Sequence, residues 1–274
     1  MATPPMGNGC TASASGKLLV ERRGPVTTLT LNRPEAHNAL DAELSRELNQ
    51  AVRAIEEDRA CRVVVLRGSG ETFCAGDDIK GFATWGEDEP YWQVRMYQET
   101  AQLIEDLTPV TIAAVDGVCC GGGLELTLVC DFVIATDRSR WGMPEIDWDI
   151  TPGWGGLSRL PRVVGRRKAK EWNLIGNLFG AATAKRYDLA NRLCPADAVD
   201  AEVHALVDVL LRKDPLTLRR TKRYLDKGAD LHVSGALAFE SVREPSAMPA
   251  GIKDFGDRQT RAQRRELSQN FWAQ

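Results

Sequence analysis

The chain has 274 residues, 43% hydrophobic and 27% charged, an ordinary globular composition with length enough for one sizeable core. A net charge of −3 and a pI near 5.8 give no general electrostatic case for nucleic acid, and no apolar run reaches the roughly 18 residues of a membrane helix. Seven cysteines lack framework spacing and two are adjacent, Cys119 and Cys120; with no export signal they read as reduced thiols in the cytoplasm.

The opening residues, rich in Thr, Ser, Ala, Gly and Pro, read as a disordered tail over 1–16. Two β-prone runs follow, Leu18–Arg22 and Val26–Asn32, joined by Arg23, Gly24 and Pro25 as a hairpin. Leu40, Leu44, Leu48, Val52 and Ile55 then mark one face of a helix, with Asp41 and Glu43 in its first turn. Val63–Arg67 is a buried strand ending at Gly68–Ser69–Gly70. Tyr91–Leu107 is a helix stopped before Pro109, and Val110–Asp116 is a second buried strand. Gly121–Gly123 opens a further helix, and Phe132–Ala135 is the next strand. Alternation of this kind predicts α/β layering. Beyond Trp172 the pattern turns helical: Thr183–Asn191, Ala201–Leu211, Leu216–Lys227 and a basic end near Arg258–Arg265. Arg166–Arg167–Lys168 reads as a solvated helix face. An α/β core over 17–195 and a helical region over 196–274 are expected.

Phosphate-binding loops, dinucleotide fingerprints, Cys-x-x-Cys pairs and nucleophile elbows are all missing. The three histidines, His37, His204 and His232, are far apart in sequence, which argues against a histidine metal site or a Ser–His–Asp triad. Catalysis, if present, rests on carboxylates and backbone groups.

The first such group is the run Ile112–Leu126, in which a strand enters Gly121–Gly122–Gly123 and then a helix carrying Glu125. Glycines let backbone N–H groups approach a ligand, and a helix N-terminus presents unsatisfied N–H groups to an anion such as a developing enolate oxygen. Tight helix–sheet packing is the alternative reading. Glu71–Lys80 places Gly76 in a turn beside Asp77, whose N–H could be a second donor; an ordinary β-to-α turn is the alternative. In Trp141–Arg159, Glu145 follows Pro144 in a loop stiffened by proline and glycine. Converging Glu125 and Glu145 would divide into one protonated and one ionised carboxyl; a capping or surface carboxylate is the alternative for Glu145.

Together these segments resemble the enoyl-CoA hydratase/isomerase (crotonase) superfamily, in matching order and spacing from about Leu18 to Trp172. Arg33–Leu40 is similar to that family's early loop at the coenzyme A site, Phe73–Asp78 to its first oxyanion loop, and Gly121–Glu125 to its second with the first catalytic glutamate. Met143–Glu145 through Pro152–Gly156 is similar to the loop carrying the second glutamate.

The resemblance implies a spiral of ββα units with a helical C-terminal trimerisation region, assembled as a homotrimer or a dimer of trimers. It implies backbone donors at Asp77 and Gly122 and an acid–base pair in Glu125 and Glu145. An acyl-CoA substrate is expected to lie along Ala36, Asn38, Ala39, Ala75, Asp78, Ile79, Lys80, Gly121, Trp148, Pro152 and Gly153, with the adenine end near Lys80. Coenzyme A belongs to the substrate, and no separate cofactor, metal, nucleic acid or membrane is expected. Both glutamates together point to hydration, over the isomerases that keep only the second and the dehalogenases whose aspartate would fall at Gly155. Dehydration, isomerisation, C–C cleavage and a catalytically idle binding protein are the alternatives.

The chain departs from the family pattern at Asp77, where a small residue is usual, and at Asp149 and Asp188, where glycine is common. Trp141, Trp148 and Trp154 cluster around Glu145. They either wall a pocket for an aromatic or bulky enoyl group, or pack in the core or a subunit interface.

Overall fold

The computed structural model describes residues 9–83 and 85–241. Its main sheet has seven strands in the order β1 (Gly9–Ala12), β2 (Leu18–Arg23), β3 (Val26–Leu31), β4 (Val63–Gly68), β5 (Val110–Val115), β7 (Phe132–Thr136) and β10 (Arg192–Cys194). β1, β2 and β3 pair antiparallel, and every pairing from β3 onward is parallel. A second sheet holds β6 (Val118–Cys120), β8 (Arg140–Gly142) and β9 (Phe179–Gly180). The chain passes from a strand of the first sheet to one of the second and then into a helix, as in β5, β6 and α4 (Gly122–Leu128). This is the ββα succession expected of the chain.

The predicted hairpin is present as β2–β3, in register from Leu18↔Leu31 to Arg23↔Val26. The predicted first helix is α1 (Ala42–Glu57), burying Leu44, Leu48, Val52 and Ile55. Asp41 sits one position before its first turn, as the N-cap, and accepts from the Leu44 N–H at 2.8 Å. The short α2 (Ile79–Phe82) precedes α3 (Glu89–Glu105), which packs on α1. All six residues of β5 are buried, since the sheet is covered on both faces. On one side lie α1, α3 and α4. On the other, Val199, Val203, Leu206 and Leu210 of α8 (Val199–Leu211) pack with Val63, Val65 and Ile112.

Several expectations are corrected. Residues 9–12, read from composition as tail, form edge strand β1, paired from Gly9↔Arg22 to Ala12↔Leu19. All four of its residues are exposed, so backbone bonding holds it and no apolar pattern announces it. Glu47 fastens the following turn, accepting from the Ser13 and Ser15 hydroxyls at 2.6 and 2.7 Å. The helix expected over Thr183–Asn191 is α7 (Ala181–Arg186); Asp188 turns left-handed at φ 61° and leads the chain into β10. The helical C-terminal region begins as part of the core, because α8 covers the sheet. It continues through α9 (Pro215–Ala229) and α10 (Val233–Ser241), while the basic end near Arg258–Arg265 lies outside the described residues. Among the described residues no helix is long and apolar enough to cross a membrane.

Candidate active site

Two backbone loops meet at the C-terminal side of the parallel strands. The Cys74 N–H donates to the Val118 carbonyl and the Cys120 N–H to the Cys74 carbonyl, each at 3.0 Å. The loop at Gly76–Asp78 is tied in turn to Leu40, whose N–H donates to the Gly76 carbonyl at 2.8 Å and whose carbonyl accepts from the Asp78 N–H at 3.0 Å. In extended backbone neighbouring N–H groups face opposite ways, so the N–H of Asp77 is turned from Leu40. Gly76 holds φ 102°, and a Cβ there would lie 3.0 Å from the Cys120 carbonyl oxygen and 3.3 Å from the Gly122 nitrogen. Only glycine lets these backbones pack so closely.

Gly121 holds φ 52°, and a Cβ on it would lie 2.8 Å from Glu145 Oε1. The helical bonding of α4 starts with the Glu125 N–H on the Gly121 carbonyl at 2.9 Å, so the Gly122 N–H lies ahead of the ladder. The N–H groups of Asp77 and Gly122 thus lie outside the loop and helix bonds of their neighbours.

Glu125, on α4, is 1% exposed. Its Oε1 accepts from the Trp154 N–H at 3.0 Å and the Gly156 N–H at 2.6 Å, where α5 (Gly156–Val164) begins. Glu145, in a single turn of 3-10 helix over Pro144–Trp148, is also buried. The Oε2 atoms of both glutamates are buried without a protein hydrogen-bond partner. Burial, and then the charge of Glu145, push the Glu125 carboxyl up to about 8, against the pull of the Gly156 N–H. Burial, with a contribution from Asp77, raises Glu145 to about 7. Asp77 is partly open to solvent as a residue, but its carboxyl is enclosed and raised by burial to about 6.

The tryptophans separate. Trp141 lies in the core, its Nε1 donating to Ser139 Oγ at 2.9 Å. Trp148, expected beside the substrate, is 59% exposed. Trp154 alone enters the site. Its indole covers Gly122, where a Cβ would meet Cδ1 and Nε1 at 3.1 Å, and its Nε1 donates to Asp77 Oδ1 at 2.9 Å. On its far side it stacks on Tyr97, with centroids 4.6 Å apart and planes at 7°. Tyr97 and the paired N–H groups of Trp154 and Gly156 escaped the sequence reading, because each acts through a contact distant along the chain.

The early loop is arranged around Asn38, which is fully buried. Its Nδ2 donates to the Ser69 and Thr72 carbonyls at 2.9 and 2.7 Å, and its Oδ1 accepts from the Arg33 N–H at 2.9 Å. This side chain binds loops together and has no capacity left for substrate. Arg33 holds the neighbouring backbone, donating to the Ala39 carbonyl at 2.6 Å and to Asp78 Oδ2 at 2.9 Å. Ala36, Ala39 and Ala75 lie half-buried along this loop, Asp78 caps α2, Ile79 and Lys80 form its first turn, and Lys80 is exposed. Pro152 and Gly153 precede Trp154, with Gly153 against Tyr97. Asp149 takes φ 57°, a left-handed backbone that aspartate tolerates better than most residues, where the family's glycine is common.

A family model described as Enoyl-CoA hydratase/isomerase matches residues 21–244. The Bacillus subtilis (strain 168) protein YngF is 38% identical over 222 residues, covering 81% of this chain and 85% of the relative. The crotonyl-CoA hydratase of Syntrophomonas wolfei is 33% identical over 225 residues, with 82% and 86% covered. The crystal structure of an enoyl-CoA hydratase from Bacillus anthracis superposes with a TM-score of 0.82 at 32% identity, covering 89% of this chain and 97% of that one.

Proposed function

The chain belongs to the enoyl-CoA hydratase/isomerase family, and from that premise we propose that it adds water across the 2,3 double bond of an enoyl-CoA thioester. One observation carries the reading: two buried carboxyls, each with an unpartnered Oε2, lie at the glycines that open α4, Glu125 within that helix and Glu145 Oε1 2.8 Å from where a Cβ on Gly121 would stand. The thioester oxygen is held by the N–H groups of Asp77 and Gly122, which stabilise the enolate as negative charge moves onto it. Water lies between Glu125 and Glu145. One carboxylate takes a water proton as the hydroxyl bonds to the β-carbon, and the other carboxyl delivers a proton to the α-carbon. Raised affinity for protons in both carboxyls favours the singly protonated pair that this addition requires.

The coenzyme A portion of the substrate runs past the backbone of Ala36, Ala39 and Ala75 toward α2 and Lys80, and no separate cofactor takes part. The protein works as a homotrimer or a dimer of trimers. Incubation with crotonyl-CoA, and with a panel of longer enoyl-, dienoyl- and aryl-CoA thioesters, should abolish the absorbance of the conjugated thioester as the 3-hydroxyacyl product forms. Folded protein that leaves every member of the panel unchanged would overturn the proposal.

A further inference from the structure

We infer that Trp154, braced by Tyr97 and Asp77, is the wall that ends the acyl pocket and restricts this enzyme to short enoyl chains of crotonyl size. The inference rests on the hydratase reading above and names its substrate class.

The donor Gly122 and the indole of Trp154 are in contact, with the ring 3.1 Å from where a Cβ would stand. An acyl chain whose carbonyl oxygen is held at Gly122 therefore meets the indole within a few carbons. Leu40 Cδ1, 3.3 Å from the same point, closes the adjoining side.

The ring is fixed from several directions. It is fully buried, stacked nearly parallel on Tyr97, and hydrogen-bonded through Nε1 to Asp77. Its own backbone N–H is committed to Glu125. Swinging it aside would strand a buried indole donor and remove the acceptor's partner in one movement. In the loop Trp154 is flanked by Gly153 and Gly155. Gly153 lies against Tyr97, and Gly156 lies against the Glu125 carboxyl, where a Cβ would approach to 2.8 Å. Tyr97 in turn lines a cleft of about 440 Å³ with Leu40, Phe82 and Trp85, so the stacked pair stands between the carboxylates and that space. Of the two readings of the clustered tryptophans, neither holds for all three: Trp148 is surface, Trp141 and Trp154 are both fully buried, and of that pair Trp154 is the one packed against Gly122.

The test uses unreactive saturated thioesters, so that binding is read apart from turnover. Calorimetric titration of the full-length protein with butyryl-CoA and decanoyl-CoA should show butyryl bound at least tenfold more tightly. In Trp154→Ala the order should reverse, decanoyl gaining relative to butyryl by more than the whole wild-type preference. An open pocket would instead reward each added methylene by about fourfold, so wild-type protein that favours decanoyl-CoA overturns the wall. Should Trp154→Ala fail to fold, Trp154→Leu shortens the side chain while keeping it apolar, and an unaltered chain-length preference there is equally fatal. The two readings fail differently. Butyryl preference without hydration of crotonyl-CoA would sink the reaction and leave the wall. Equal kcat/KM for crotonyl- and decenoyl-CoA would sink the wall and leave the reaction.

Discussion

Gly156 donates its backbone N–H to Glu125 Oε1 at 2.6 Å, and a Cβ on Gly156 would lie 2.8 Å from both Cγ and Oε1 of that glutamate. The start of α5 thus holds the first carboxyl by a contact that only glycine permits. Arg159, one turn into the helix, donates to the Trp154 carbonyl at 3.2 Å and to Glu105 at 2.8 Å, which steadies the loop.

Gly156→Ala should therefore act on Glu125 without touching substrate. Displacing a reacting group by about 1 Å costs on the order of 10²-fold in rate, and kcat for crotonyl-CoA should fall by that order. Circular dichroism should show a folded protein. An unchanged kcat would mean that the position of Glu125 is immaterial to the reaction.

Glu125→Gln and Glu145→Gln should each lower kcat by roughly 10²–10⁴-fold, the usual worth of a positioned acid or base. The amide is close to isosteric and at position 125 its oxygen can still accept from Trp154 and Gly156, so thermal unfolding should shift little below pH 4.5, where these glutamates are largely protonated in both folded and unfolded protein. Near-normal kcat in either variant would end the two-glutamate mechanism. Retention by the Glu125 variant alone would point to isomerase chemistry centred on Glu145.

Gly122→Pro removes a donor at the first position of α4, and its ring presses on the Trp154 indole, 3.1 Å from where a Cβ would stand, so folding is checked alongside activity. A loss of about 10²–10³-fold in kcat is expected. Asp77→Ala keeps its backbone N–H and should retain more activity, at a cost in stability of about 1–3 kcal/mol for the indole left without an acceptor. A folded Gly122→Pro protein turning over at the wild-type rate would rule out that donor.

The raised carboxyls also set a pH dependence. Folded Glu125 keeps its proton up to about pH 8, whereas an unfolded glutamate loses it near its ordinary 4.5. Between those values the folded state binds more protons than the unfolded state, so stability falls as pH rises through this window. Glu125→Gln abolishes that contribution. The Tm of the variant minus that of wild type, measured by calorimetry, should grow from pH 5 to pH 8 and then level off. A difference independent of pH would show that Glu125 is not held protonated.

Large apolar side chains at Leu174, Ile175 and Leu178 are 66%, 63% and 58% exposed in the isolated chain. Light scattering should find a trimer or hexamer of the 30.2 kDa chain. A monomer at micromolar concentration would contradict the proposed assembly.

Much of what depends on neighbours along the chain was legible in the sequence. The buried stripe Leu44, Leu48, Val52 and Ile55 of α1 follows from helical periodicity. The all-apolar strand β5 and the glycines opening α4 announce a buried sheet and a backbone site through local composition and conformation. The two glutamates were singled out the same way, from the segments that carry them. Strand β1 was not, because it is held mainly by backbone bonds and all four residues are exposed.

Only the tertiary structure decided which tryptophan belongs to the site. In the sequence Trp141, Trp148 and Trp154 are equivalent neighbours of Glu145. In space Trp148 is surface, while Trp141 and Trp154 are both in the core and only Trp154 lies between Gly122 and Tyr97. Glu125 is held by N–H groups 29 and 31 positions away, a pairing that no local pattern encodes. The proton affinities of Glu125, Glu145 and Asp77 likewise arise from burial and mutual charge. Neither exists until the loops carrying these carboxyls have closed on one another, because desolvation belongs to the packed site and not to any residue in it.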